Sequence, residues 1–514
     1  MSKVQDNDQL PVGPGSAAEL EQRLRHVFDD TFRELRGGDD GETFSQFETR
    51  LWTRTLLIFR LFAAWWLALR HERLDVSGYE SHTLYRIKDW FAERQLKTLG
   101  GLVAYGRVYL GRRGGGSGWC PLDAALGITA DGFSWGVMSL VTRLATRVSY
   151  AAAVKYFELF VGWAPSTEAV EECVLGLGAR TWTYAAAAPP PEDEGEVLII
   201  EVDGKATPTA TADELAKRRG PRRKHEANCP CGCQRHRGQQ QRQENPKKRR
   251  KKGDKSKNGR SITLVVMYTL KRGPDGRLHG PINKRVWGSY AKRRVMLEWA
   301  RAEATRRGFP PGTEGRVQIL TDGEKCLQRL RQLFPGARFT LDVRHVQERL
   351  WLAGRQLHAE GSDDLLAWVE AHNRLLLAGQ TKELLEALAT ARDSISKTGP
   401  GTKTKRATLQ KQIDYLTPRQ DMLRYDEVRA QDLVMATGNV EGAARYVIGE
   451  RMDCSGMRWI PQRAEALLHL RCIELNGDWE HFMAWTEAQH NRTLRWGQPA
   501  QVRTSEPTPL RKVA

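Results

Sequence analysis

Long apolar runs are what this 514-residue sequence most plainly lacks. The longest uncharged run near its start, LFAAWWLAL at residues 61–69, is about half of the roughly 20 residues that a membrane-crossing helix requires. It reads as a buried helix, and no membrane partner is expected. The opening stretch, MSKVQDNDQLPVGPGS, has no apolar core of the signal-peptide kind, so nothing in it directs export. Cysteine is also scarce: of eight, three fall within residues 229–233, a distribution that excludes a disulfide framework and suits a reducing cytoplasm.

The excess of basic charge sits in one segment. Residues 217–260 carry 18 Lys or Arg against Glu226, Glu244 and Asp254, a net of +15 out of the chain's +18. The block Lys247, Lys248, Arg249, Arg250, Lys251 and Lys252 reads either as a solvated loop or as an arm that binds DNA phosphates.

The length allows two to four domains. Residues 1–16 read as disordered, and 17–100 as a helical region with apolar positions at three- and four-residue spacing. Residues 101–128 read as a small β and loop region (GLVAYGRVYL, then GRRGGGSG). Residues 129–184 hold a helix-turn-helix pattern: SYAAAVKYFELF, a break at residues 161–163, and a second helix capped by Ser166. Its alternatives are an ordinary helical hairpin or a DNA-binding motif with the second helix in the major groove. The prolines of residues 185–195 mark a linker.

Beyond the linker the pattern becomes α/β. EVLIIEVDG, SITLVVMYTL, INKRVWG, RVQILTDG and ARFTLDVRH read as five strands, with a helix at residues 292–307. The first part of this core spans residues 196–345, with the basic insertion at 205–260. A helical insertion covers 346–434, the last part of the core 435–490, and a tail 491–514.

Two of these strands are predicted to end in Asp-Gly, at Asp203 and Asp322. Singly, Asp-Gly is more often a turn than an active site. After two apolar runs that read as central strands, the pair instead faces a shared crevice at the strand ends. Glu441 and Glu450 lie in one predicted helix, nine residues or about two and a half turns apart, and so point in opposite directions. Glu441, flanked by Gly438 and Gly442, is the one that backbone or DNA could approach closely. Carboxylates suit Mg²⁺, which prefers hard oxygen ligands, and two such ions about 3.5 to 4 Å apart activate the attacking oxygen and stabilise the leaving oxygen of a phosphodiester.

VDG at 202–204, TDGE at 321–324, LDVRH at 341–345, GNVEG at 438–442 and RMDCSGMRW at 451–459 together resemble the DDE transposases of bacterial insertion sequences of the Kra type, relatives of the Mutator-like group. The resemblance covers nearly the whole chain. It implies an RNase H-like catalytic domain with an all-helical insertion, preceded by a mostly helical DNA-binding region. It also implies a catalytic and metal-binding triad of Asp203, Asp322 and Glu441 with Mg²⁺, for which Mn²⁺ substitutes. The implied partners are double-stranded DNA, as terminal inverted repeats and target, and a homodimer or higher homo-oligomer on that DNA, in the bacterial cytoplasm at the nucleoid. Two departures stand out: no paired cysteines near Cys120, and a long basic insertion after Asp203. The competing classes are another RNase H-like nuclease such as a resolvase, and a DNA-binding derivative that no longer catalyses.

His225, Cys229, Cys231, Cys233 and His236 form a cluster of zinc-ligand types whose C-x-C spacing is tighter than the usual knuckle, so it reads as a structural Zn²⁺ site or as free thiols. Asp342 and His345, one helical turn apart, read as a capping aspartate with a satisfied histidine, or as a pair orienting a metal ligand or the DNA backbone. Arg451, Arg458 and Trp459 read as a DNA-handling surface, with a break at Ser455 and Gly456 turning the chain toward the site; the other reading packs Trp459 in the core.

Overall fold

The computed structural model describes residues 12–37, 41–212, 259–323, 327–454 and 457–496. The chain divides into two compact units, residues 1–184 together with 477–514, and residues 185–476. The basic block at residues 247–252 and the cluster of His225, Cys229, Cys231, Cys233 and His236 lie outside the described residues.

In the first unit, helices Ala17–Gly37 and Phe44–Glu72 pack against a β hairpin of β1 (Tyr85–Thr98) and β2 (Gly101–Arg112). The second helix begins at a capping box, in which Thr43 accepts from Gln46 N–H and the Gln46 side chain reaches back. Its apolar run is buried along one face only: Leu61, Ala64 and Leu67 point inward, while Phe59, Phe62 and Trp66 are exposed. Among the described residues no helix is long and apolar enough to cross a membrane.

Two expectations fail in this unit. β1 occupies a stretch read as helical, because register shifts at Ile87/Asp89 and Asp89/Ala92 break the two-residue alternation that would have revealed it. Val12, within the stretch read as disordered, is buried and bridges to Val103, since its side chain completes the cluster of Leu20, Leu61 and Leu122. Helices Tyr150–Val161 and Thr167–Gly178 lie where a helical pair was expected, with left-handed Gly162 closing the first and Ser166 capping the second at Ala169 N–H, 3.2 Å.

The second unit is a mixed α/β structure. Among the described residues its sheet has the order β5-β4-β3-β6-β7, from strands β3 (Val197–Pro208), β4 (Gly259–Arg272), β5 (Leu278–Ser289), β6 (Val317–Thr321) and β7 (Arg338–Leu341). β3, β4 and β5 form an antiparallel meander, whereas β6 and β7 run parallel to β3. The runs VLIIEV and VQIL are buried throughout, as central strands covered on both faces should be. Helix Pro461–Leu475 packs on β5, and Asn476, the residue after it, completes the β5 backbone: its side chain accepts from Val286 N–H at 2.8 Å and donates to Val286 C=O at 3.1 Å.

Residues 343–430 form a helical excursion around Leu350, Leu376, Leu388, Leu409 and Leu416. The chain then returns to the sheet, where Gln318 of β6 bonds both backbone groups of Val434 and Val343 N–H, just after β7, donates to Met435 C=O at 2.9 Å. The stretch expected as the last part of the core, 435–490, is divided: residues from Gly477 onward group with the first unit.

Asn476→Ala removes both bonds to Val286 and leaves that buried pair unmet. It is expected to lower the stability of the second unit by about 1–3 kcal/mol. A shift in denaturant midpoint with unchanged slope measures this, and an unchanged midpoint would mean that the edge of β5 needs no such partner.

Candidate active site

The site is built on the β3 ladder. Glu201 pairs with Val266 and Asp203 with Leu264 in an unbroken antiparallel register, so the two acids, two residues apart, share one face of the sheet. Asp203 was expected to close its strand at a turn, yet β3 runs on to Pro208 because β4 pairs with it as far as Gly259. What ends near Asp203 is the parallel pairing, whose last pair is Glu201↔Leu320.

Parallel pairing also sets heights. β6 pairs with β7 through Thr321↔Leu341, and Asp342 N–H donates to Thr321 C=O at 3.0 Å. Carried one or two residues past the last pairs, the same register brings Asp203, Asp322 and Asp342 to one level across three adjacent strands.

The Asp322 loop is held from the helical excursion. The Tyr415 hydroxyl donates to Asp322 C=O, and Arg419 donates to Gly323 C=O from Nε at 3.2 Å and from its terminal nitrogen at 2.6 Å. Gly323 has φ +75°, and a Cβ there would lie 2.7 Å from Arg419 Nε and 2.8 Å from both Leu341 Cδ1 and the Tyr415 hydroxyl. Only glycine fits this turn.

Asp342 is fully buried and caps helix Val343–Gly354, accepting from Arg344 N–H at 3.1 Å. It also accepts from His345 Nδ1 at 2.5 Å, and from the Thr437 hydroxyl at 2.9 Å and N–H at 3.4 Å. The capping role considered for Asp342 is met, and the same carboxylate also holds His345 and Thr437. Burial pushes the Asp342 carboxyl up, but the bonds from His345, Thr437 and Arg344 outweigh it and leave the group below the usual carboxylate range. His345 is pushed up to about 9, chiefly by its bond to Asp342, against desolvation and with help from the charges of Asp342 and Asp322.

Glu441 is exposed on the first turns of helix Gly438–Ala443. Among the described residues, Asp342, His345 and Glu441 offer ligand atoms within 4.8 Å of one another. Asp203 and Asp322 are both outside that group, so the structure does not gather the three expected ligands within that distance; Asp203 Oδ1 accepts from Gly204 N–H at 2.6 Å. Glu450 goes elsewhere, to a 3.6 Å ion pair with Arg471, and the turn between the two glutamates, Ala444–Gly449, is π-helical. Of the two glutamates, Glu441 is the one whose ligand atom lies near Asp342 and His345, and the regular helix used to separate them does not run through.

Sequence reasoning missed the residues that hold this helix. Thr437, its N-cap residue, makes no side-chain cap, because its hydroxyl is committed to Asp342 and lies 3.4 Å from Glu441 Oε1. Val440 N–H donates instead to Glu201 Oε2 at 2.8 Å, and Asn439 Nδ2 to Oε1 at 3.4 Å. Tyr268 of β4 donates to Oε1 at 2.7 Å, while Lys284 of β5 donates to Asn439 Oδ1 at 3.0 Å. Burial pushes the Glu201 carboxyl up, against these bonds and the nearby Lys284 charge. The available signal was an acid inside the run LIIEV, which a central strand buries only with partners.

Other site residues fare differently. Arg451, expected at a DNA surface, is 2% exposed; it covers the Trp459 ring at 5.0 Å and so does not present its charge to a backbone. The Trp459 indole donates to Met452 C=O at 2.9 Å, and its backbone pairs with Pro208 and Ala210 beyond Asp203, which supports the packed reading. Arg458 is half-buried, and Ser455 and Gly456 lie outside the described residues. Ser166 is exposed, but the exposed side chains of the helix it caps are Glu168 and Glu172, an acidic face that repels phosphate.

By donor chemistry alone, Asp203, Asp322 and Glu441 are of the type a hard divalent cation prefers, carboxylate oxygens without sulfur, and Gly438 and Gly442 leave open space beside Glu441, where an added Cβ would meet nothing within 4 Å. No family model matches the chain, and no curated protein matches it.

Folding raises His345 from 6.5 to about 9, so its contribution to stability is complete below about pH 6.5 and is lost as the pH rises through about 9. In metal-free buffer the melting temperature is expected to fall more steeply between about pH 7 and 9.5 for the wild-type chain than for His345→Gln. Parallel slopes would mean that the His345–Asp342 pair does not form.

Proposed function

We propose that this chain is a DNA transposase that binds the terminal inverted repeats of a mobile element and cleaves and joins DNA through Asp203, Asp322 and Glu441. The observation that carries the reading is the placing of acids from distant parts of the chain: Asp203, Asp322 and Asp342 at one level across three adjacent parallel strands, with Glu441, after a long helical excursion, beside Asp342. An antiparallel meander extended from its first strand by two parallel strands is the sheet an RNase H-like core calls for. The excursion before the glutamate suits the resemblance to Kra-type and Mutator-like transposases.

Asp203, Asp322 and Glu441 would hold Mg²⁺, or Mn²⁺ in its place. When bound, the metal supplies activation of the attacking oxygen and stabilisation of the leaving oxygen. The chain's own residues do the rest. Asp342 receives the proton-bearing Nδ1 of His345 and the Thr437 hydroxyl, which fixes the imidazolium and the start of the Glu441 helix together. At neutral pH His345 is cationic, and its Nε2 is suited to a DNA phosphate beside the carboxylates. The basic segment at residues 217–260 would supply sequence-independent phosphate affinity, with a second copy of the chain pairing the two element ends in the bacterial cytoplasm.

A strand-transfer assay with purified chain, a labelled inverted-repeat end and target DNA tests this. Asp203→Ala, Asp322→Ala and Glu441→Ala are each expected to reduce Mg²⁺-dependent cleavage and joining to the level seen with chelator, while duplex affinity and melting temperature hold. Cleavage without joining would favour a resolvase-like nuclease, and end binding without either would favour a derivative that no longer catalyses. Full activity in Glu441→Ala would sink the triad as assigned.

A further inference from the structure

Glu201 is 0% exposed, lies between two apolar residues of a central strand, and has no part in the triad. A carboxylate so placed is expensive to bury, and its bonds show where that cost is offset. Its oxygens accept from Tyr268 of the neighbouring strand, from the Asn439 side chain, and from Val440 N–H, 239 residues further along the chain. Val440 N–H belongs to the free first turn of the helix that bears Glu441, whose own N-cap threonine does not cap it.

We propose that Glu201 is a positioning residue for the metal centre: it sets the separation between the Asp203 and Glu441 carboxylates. Its backbone is two residues from Asp203 on the same strand face, and its side chain grips the residue immediately before Glu441. One buried side chain therefore joins the first and last acids of the triad. Asp342 does the corresponding work from β7 through Thr437, so the start of the helix is held from both sides of β6, the strand that leads to Asp322. Glutamine at position 201 has nearly the same shape, but its amide nitrogen cannot accept. At least one of the three donors loses its partner, and the helix start is free to shift.

This inference rests on the metal-centre reading of Asp203, Asp322 and Glu441, and the test separates the two. Mn²⁺ alone is titrated into the full chain, with free Mn²⁺ followed by electron paramagnetic resonance, for the wild type, Glu441→Ala and Glu201→Gln, at a temperature where near-ultraviolet circular dichroism shows each folded. Glu201→Gln is expected to bind Mn²⁺ about tenfold or more weakly, as loss of a residue that orients a ligand does. Cleavage by the same variant should be partly restored by raising the Mn²⁺ concentration, a recovery that a merely unstable protein would not show. Wild-type Mn²⁺ affinity in folded Glu201→Gln overturns the inference alone. Wild-type affinity in Glu441→Ala overturns the metal-centre reading, and the inference with it. If Glu201→Gln does not fold, Asn439→Ala, at the half-buried end of the same contact, takes its place: weakened Mn²⁺ binding supports the positioning role, and unchanged binding refutes it.

Discussion

Two buried carboxylates and one short helix depend on each other, and the second unit is arranged around that dependence. The α-helical start at Gly438–Ala443 is six residues long, far below the roughly 12–15 at which an isolated helix becomes even marginal in water. Its first-turn donors are met by Glu201 and Asp342, from strands on either side of β6. Glu201 and Asp342, in turn, could not remain buried without those donors, because a hydrogen bond to a charged group contributes about 1.5–3 kcal/mol while an unmet buried charge costs more. Neither the sheet ends nor the helix start is stable in this form without the other. Glu441 inherits its place from that mutual requirement.

The helical excursion between Asp342 and Thr437 is what allows the contact to be made across 95 residues. Lengthening a connection costs only about 0.6 kcal/mol per doubling, and this one is no loose loop, since its leucines form a core of their own. Its two ends are fastened beside each other by Val343 N–H on Met435 C=O and by Gln318 on Val434. It also reaches back to the site, where Tyr415 and Arg419 take the carbonyl oxygens of Asp322 and Gly323. The excursion thus orients one aspartate through its backbone and delivers the glutamate at its far end.

Much of this was legible in the sequence, and what was not has physical causes. Strands buried on both faces write themselves as apolar runs, so the first part of β3 and all of β6 could be read, and Asp322 does follow its strand. Asp203 was mistaken for a strand end because Asp-Gly is turn chemistry, and nothing local reveals that β4 pairs five residues beyond it. β1 was lost because its bulges erase the alternation on which strand reading depends. Glu201 carried a signal, an acid in an apolar run, but its partners Asn439 and Val440 are distant in sequence, and only the folded sheet brings them to it. Arg451 was weighed by residue type, whereas what matters is which way it faces: it is buried against Trp459.

The distribution of charge gives the arrangement its direction. Asp203, Asp322 and Asp342 stand level on adjacent strands and Glu441 lies beside Asp342, to which the His345 imidazole is bonded, so a DNA backbone would be repelled from the site unless positive charge came from elsewhere. Among its exposed side chains, the helix capped by Ser166 offers the wrong sign. The basic stretch at residues 217–260 offers the right one, and its described roots are informative: the chain leaves β3 at Pro208 and enters β4 at Gly259, a paired position five residues beyond Asp203 on the same strand. On the proposed reading, phosphate affinity is tethered to the strand that carries the first metal ligand. Any duplex held by that segment is then kept at high effective concentration beside the carboxylates, a gain that depends on tether length and not on any further contact.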